Sequence, residues 1–194
     1  GIDGPVQLSS DGRYVAFESQ SPNHVPSDTN GRNDLFVRDR ELGTTVRANL
    51  FASGAQYPPP DPFFGDHYVG WWQLSASGRH VLFVSNLAIT EDDTNSGTDA
   101  FVHDLATGTV TRRSLPPGGG QSASWVDNGW MSPDGRHVFL TITDGTARTM
   151  WKNDATTGVT TPLGPGRIAF YLGGAWRSMS WAEDRATDPV AALV

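Results

Sequence analysis

One ten-residue pattern occurs three times in this chain and constrains its fold more than any other feature. Leu8-Ser9-Ser10-Asp11-Gly12-Arg13-Tyr14-Val15-Ala16-Phe17 returns as Leu74-Ser75-Ala76-Ser77-Gly78-Arg79-His80-Val81-Leu82-Phe83. It returns again as Met131-Ser132-Pro133-Asp134-Gly135-Arg136-His137-Val138-Phe139-Leu140. The Gly-Arg pairs start at Gly12, Gly78 and Gly135, so the period is 66 residues and then 57. A chain that repeats at such intervals stacks supersecondary units instead of building one irregular core.

A second element follows each copy. Leu35-Phe36-Val37-Arg38-Asp39 leads to Gly43, Ala100-Phe101-Val102-His103-Asp104 to Gly108, and Met150-Trp151-Lys152-Asn153-Asp154 to Gly158. The Asp-to-Gly interval is four residues each time. A Gly-containing turn between apolar segments joins two strands in a tight hairpin. The Asp-x-x-x-Gly step ends a third strand, and Thr44–Arg47, Thr109–Arg112 and Val159–Thr161 supply a β-branched fourth. No segment sustains a 3.6-residue apolar period. The expectation is an all-β chain, a β-propeller of four-stranded antiparallel blades. Three blades are clear, at about 5–50, 66–115 and 124–163, with a partial or degenerate fourth over 164–194. All belong to a single domain over 1–194.

The pattern Ser-x-Asp-Gly-Arg-x-Val-x-Phe, then Asp-Thr-Asn-Gly ahead of Asp-x-Phe-Val-x-Asp and Gly-x-Thr, resembles the WD40-like PD40 repeat of TolB-type propellers. The resemblance covers roughly residues 5–163. It implies the fold and leaves function open, because such propellers serve as periplasmic scaffolds and as peptidase propeller domains. Closed propellers normally have four or more blades. The chain is therefore a small propeller, a ring completed by a second chain, or a piece of a longer protein.

Charge narrows the partners. The net charge is −7 and the pI about 5.0, which disfavours nucleic acid and anionic lipid. No apolar run approaches the roughly 20 residues of a membrane span. The chain has no cysteine, so it lacks disulfides, thiolate metal sites and a cysteine nucleophile.

Two loops carry a candidate metal pattern. Asp28, Asn30 and Asp34 stand at relative positions 1, 3 and 7, and so do Asp93, Asn95 and Asp99. Hard oxygen donors at such spacing can converge on Ca²⁺. The competing reading is that they form Asx turns that bind nothing. Blade three has only Thr143-Asp144-Gly145-Thr146 there and is expected to hold no ion.

The histidines form no zinc motif. His80 and His137 stand in the slot of Tyr14, and His103 in that of Arg38 and Lys152, so these three read as structural. No Gly-x-Ser-x-Gly elbow marks a nucleophile, and no catalytic residue is assigned. The remaining candidates are aromatic. The stretch Gln56–Trp72 carries Tyr57, Phe63, Phe64, Tyr68, Trp71 and Trp72, and later inter-blade stretches carry Trp125, Trp130 and Trp176. Tyr68, Trp71, Trp72, Trp125 and Trp130 are the expected ligand-binding set, though rings at such places can instead plug the gaps between blades.

These features suggest a non-catalytic binding module, secreted or periplasmic, recognising a glycan or a protein partner. One alternative is a structural subunit that completes its propeller with another chain. The other is an accessory propeller domain of a larger hydrolase.

Overall fold

A computed structural model describes residues 4–59, 69–145 and 147–165. These form three four-stranded antiparallel sheets. The first blade is β1 (Val6–Leu8), β2 (Tyr14–Ser19), β3 (Asp34–Asp39) and β4 (Thr44–Arg47). The second is β5 (Val69–Leu74), β6 (His80–Ser85), β7 (Asp99–Asp104) and β8 (Thr109–Arg112). The third is β9 (Trp125–Met131), β10 (His137–Asp144), β11 (Ala147–Asp154) and β12 (Thr160–Pro165). Strands pair in sequence order within each sheet, the topology of a propeller blade. Beyond the end of β12, the partial fourth blade expected over 164–194 lies outside the described residues. Among the described residues no helix is long and apolar enough to cross a membrane.

The two repeated sequence elements touch. Arg13 in the first turn pairs with Asp39 at the end of β3, Nη2 to Oδ2 at 2.7 Å. Arg79–Asp104 at 2.7 Å and Arg136–Asp154 at 2.8 Å repeat the pair. Each Asp also accepts backbone N–H groups of its own turn, from Leu42, Ala106 and Thr156. The repeated serines close the preceding turn, since Ser9, Ser75 and Ser132 accept the N–H of Tyr14, His80 and His137.

These pairs predict acid sensitivity. Asp39 is held down to about 2, chiefly by hydrogen bonds from Arg13, and Arg79 and Arg136 lower Asp104 and Asp154 in the same way. A depressed carboxylate stabilises the fold above its unfolded value, and that support disappears as pH falls through the folded one. The melting temperature is therefore expected to drop between about pH 4 and pH 2. The triple variant D39N/D104N/D154N should flatten that limb. A wild-type melting curve unchanged down to pH 2 would contradict the assignment.

Blade-to-blade coupling repeats as well. The Gln7 amide spans the inner strand of blade two, donating to Trp72 O at 3.2 Å and accepting Leu74 N at 2.9 Å. Gln73 does the same to Met131, at 3.2 and 2.7 Å. In blade three the equivalent residue is Trp130. The aromatic slot of the repeat also faces the next blade. Tyr14 seats the turn at Gly78, and His80 seats the turn at Gly135. Burial there lowers the His80 pKa, so the ring serves as neutral packing.

Two apolar layers fill the gaps between sheets. Ala16, Leu35 and Val37 of blade one meet Val81, Phe83 and Phe101 of blade two. Leu82, Val84 and Val102 of blade two meet Val138, Leu140 and Ile142 of blade three. Alternate residues of β6 thus pack on opposite neighbours, as the period-2 geometry of a strand requires.

Candidate functional site

Strand direction sorts the connections onto two ends. The short turns at Gly12, Gly43, Gly78 and Gly108 lie at one end. The β2–β3 and β6–β7 loops and the inter-blade segments lie at the other. Rigid blades presenting long loops at one end suit binding.

At the blade-one loop, the cation that Asp28 and Asp34 meet is Arg47. Its Nη2 lies 2.9 Å from Asp28 Oδ1 and its Nε 3.5 Å from Asp34 Oδ2. Arg47 is 5% exposed, and both carboxylates are buried. Asn49 donates to Asp34 Oδ1 at 2.7 Å, while Asn30 turns its oxygen to Arg32 N at 3.0 Å in an Asx turn. Burial pushes the Asp34 pKa up, against the opposing pull of Asn49 and Arg47. Gln56 completes the cluster, accepting from Arg47 Nη1 at 2.7 Å and from Thr29 N at 3.3 Å.

Blade two repeats this arrangement with one change. Gln121 accepts from Arg112 Nη1 and, at 3.0 Å, from Thr94 N. The Arg112 guanidinium, however, turns to the exposed Asp92, with Nη2 at 2.8 Å and Nε at 3.1 Å from Oδ2. Asp93 and Asp99, 5% and 1% exposed, each keep one buried oxygen without a hydrogen-bond partner. The other Asp99 oxygen accepts from Ser114. Burial, then the neighbouring Asp99 charge, pushes the Asp93 pKa up to about 6. Asn95 faces away from this pair, donating to Ser122 O at 2.8 Å and accepting from Gly97 N at 2.7 Å. Among the described residues no three His, Cys, Asp or Glu side chains group as metal ligands. Blade three has no counterpart loop, because β10 runs to Asp144 and β11 begins at Ala147.

Sequence reading missed Arg47, Gln56, Arg112 and Gln121. The signal was present, because Arg and Gln stand nine residues apart in both copies.

The aromatic set separates sharply. Trp72, expected to meet a ligand, is instead a core residue, 3% exposed, packed in the layer between blades one and two. Its Nε1 donates to Glu18 Oε1. Trp71 points the other way and packs on the layer between blades two and three. Blade two is covered on both faces, so adjacent residues of β5 both find neighbours. Trp130 rests on Phe139 at 5.3 Å, in a cluster with Met150 and Leu163. It packs against residues of its own sheet, near the turn end of β9, and is not presented at the loop end. Tyr68, Phe63, Phe64, His67 and Trp176 lie outside the described residues.

Trp125 is different. It is 62% exposed, the one exposed tryptophan among the described residues. It opens β9 at the long-loop end, where blades two and three meet. The strand start is tied to blade two by Val126 N to Thr98 O at 2.9 Å and Thr98 Oγ1 to Val126 O at 2.8 Å. The ring lies against Gly97. A Cβ there would stand 2.9 Å from Trp125 Cδ1 and 3.2 Å from Asn95 Oδ1, so this glycine provides room for the indole. Thr143 pairs opposite Trp125, and Asp127 Oδ2 accepts from Thr143 Oγ1 and Arg148 Nε, each at 2.7 Å.

A cavity of about 650 Å³ lies elsewhere, between the outer strand of blade one and blade two. Val25, Val46, Arg47, Gln56, His103 and Leu105 are among its lining. His103 Nδ1 is 2.8 Å from Ala48 O, and burial lowers its pKa, in keeping with a structural ring. His24 is wedged 5.0 Å from both Phe17 and Phe36.

Known structures resemble this arrangement of blades. TolB from Acinetobacter baumannii superposes with a TM-score of 0.51 at 17% identity, over 86% of this chain. The fold is a TolB-like β-propeller. A TolB-type protein from Agrobacterium tumefaciens gives a TM-score of 0.51 at 14% identity, over 84% of this chain. The propeller described here spans 33% and 46% of those two chains. At such identities the likeness concerns the fold. No protein-family model and no curated protein matches the sequence.

Proposed function

We propose that this propeller is a non-catalytic binding domain, secreted or periplasmic, that recognises a glycan or protein partner at its long-loop end. The observation that carries this reading is Trp125, a large aromatic held on fixed backbone at the junction of two blades. A rigid ring loses little conformational entropy on binding, which makes such residues effective anchors. Affinity capture from extracts of the source organism tests it, using wild type and W125A side by side. Trp125 is largely exposed, so W125A should keep the wild-type melting temperature. Loss of the captured ligand in W125A is the expected result, and equal capture by both proteins contradicts it.

Calcium is proposed for the blade-two loop alone. Both loops keep carboxylate oxygens without hydrogen-bond partners, but Arg47 meets the blade-one pair, whereas Arg112 turns to Asp92 and leaves Asp93 and Asp99 without that cation. A ligand held only by the native state stabilises it. At saturating calcium the melting temperature is expected to rise by about 5 °C. D99N should remove that rise, and D34N should not. Identical curves in calcium and in chelator would end the proposal.

A further inference from the structure

We infer that the ligand of this surface is an uncharged saccharide, stacked by its ring face on Trp125. The inference rests on the binding reading above and names its chemistry.

The surroundings of the indole decide between ligand classes. A protein hot spot sits within an apolar core, inside an interface burying roughly 800 Å² per partner. Among the described residues Trp125 has no such setting. The other exposed large apolar residues among those described are Val6, Leu8, Leu42, Val46 and Val159. Leu42 and Val159 stand in turns at the opposite end, Val46 on the outer strand β4, and Val6 and Leu8 on β1 of blade one. Polar residues stand around this position: Asn95 Oδ1 lies beside the same Gly97, Thr143 is the cross-strand partner of Trp125, and Asp127, two residues along β9, is held by Thr143 and Arg148. A sugar ring offers the complement, an apolar C–H face for stacking and a rim of hydroxyls that both donate and accept.

Two further observations fit. The platform is fixed in advance, by the Thr98–Val126 hydrogen bonds below it and by Gly97 beside it, so little ordering is needed on binding. The chain carries a net charge of −7, and Asp127 stands two residues along β9 from Trp125, which opposes acidic sugars.

The test is an array of neutral oligosaccharides (β-glucan, chitin, mannan, xylan and galactan fragments) beside uronic-acid and sialylated ones. Wild type, W125A, W125F and G97V are compared. We expect wild type to bind at least one neutral series, equally in 0.1 and 1 M NaCl. W125A should bind at least tenfold more weakly, W125F should fall between, and G97V should lose binding because its side chain displaces the indole. Neutral binding that W125A leaves intact overturns the inference, as does binding confined to acidic sugars and abolished by salt. No array binding, with a protein partner captured by wild type and lost in W125A, overturns the saccharide but leaves the binding surface standing. Neither sugar nor partner depending on Trp125 overturns both.

Discussion

Replacing Arg47 by Met is expected to destabilise the protein by about 3–5 kcal/mol, the usual cost of removing one partner from a buried ion pair. The guanidinium meets Asp28 Oδ1 at 2.9 Å and Asp34 Oδ2 at 3.5 Å, and all three side chains are buried. Without it, two carboxylates would face each other with no cation between them. Thermal denaturation should show a loss of about 10 °C or more for a chain of this length. Adding D28N and D34N to R47M should recover much of it, because the stranded charges are then gone. An R47M protein melting within a degree or so of wild type would mean that the cluster is not buried as described.

The second large effect is expected at Gly78. Its φ is +73°, where a side chain costs about 1–2 kcal/mol. An added Cβ would also stand 2.2 Å from Tyr14 Cδ2 and 2.8 Å from Tyr14 Cβ. The near end of the tyrosine cannot swing away, so overpacking adds about 1–3 kcal/mol. Gly12 has nearly the same φ, +71°, but its nearest neighbour would be Arg40 Nη1 at 3.8 Å. G12A should therefore show only the backbone part, and G78A roughly twice the loss. A double-mutant cycle with Y14G separates the two, since removing the Tyr14 side chain relieves the clash and not the φ. Equal losses at Gly12 and Gly78 would show that the second blade's turn does not sit on Tyr14.

These residues also show which parts of the structure could be read from sequence. The blades were legible because each repeated residue performs one task three times. The Gly-Arg and Asp-x-x-x-Gly motifs recur together because Arg13, Arg79 and Arg136 bind the aspartates that end the third strands. The loop clusters were legible only in part. Their acidic residues stood out as a motif, while Arg47 and Gln56 looked like ordinary strand and loop residues far along the chain. Only the fold brings them to Asp28 and Thr29. The tryptophans misled for a geometric reason. Trp71 and Trp72 are adjacent on a strand and so point to opposite faces. In a middle blade both faces are covered, and neither indole is free. Trp125 escapes because it begins its strand at the loop end, beside a glycine.

The central claim, that recognition occurs at Trp125, is tested most directly by the indole N–H signals of the seven tryptophans. The chain is labelled with ¹⁵N and titrated with the tightest-binding neutral oligosaccharide of the array, or with the captured partner. Signals are assigned by single Trp-to-Phe variants. The Trp125 signal is expected to shift progressively to saturation while that of the buried Trp72 holds its place. Saturable binding that leaves the Trp125 signal unmoved would contradict the claim.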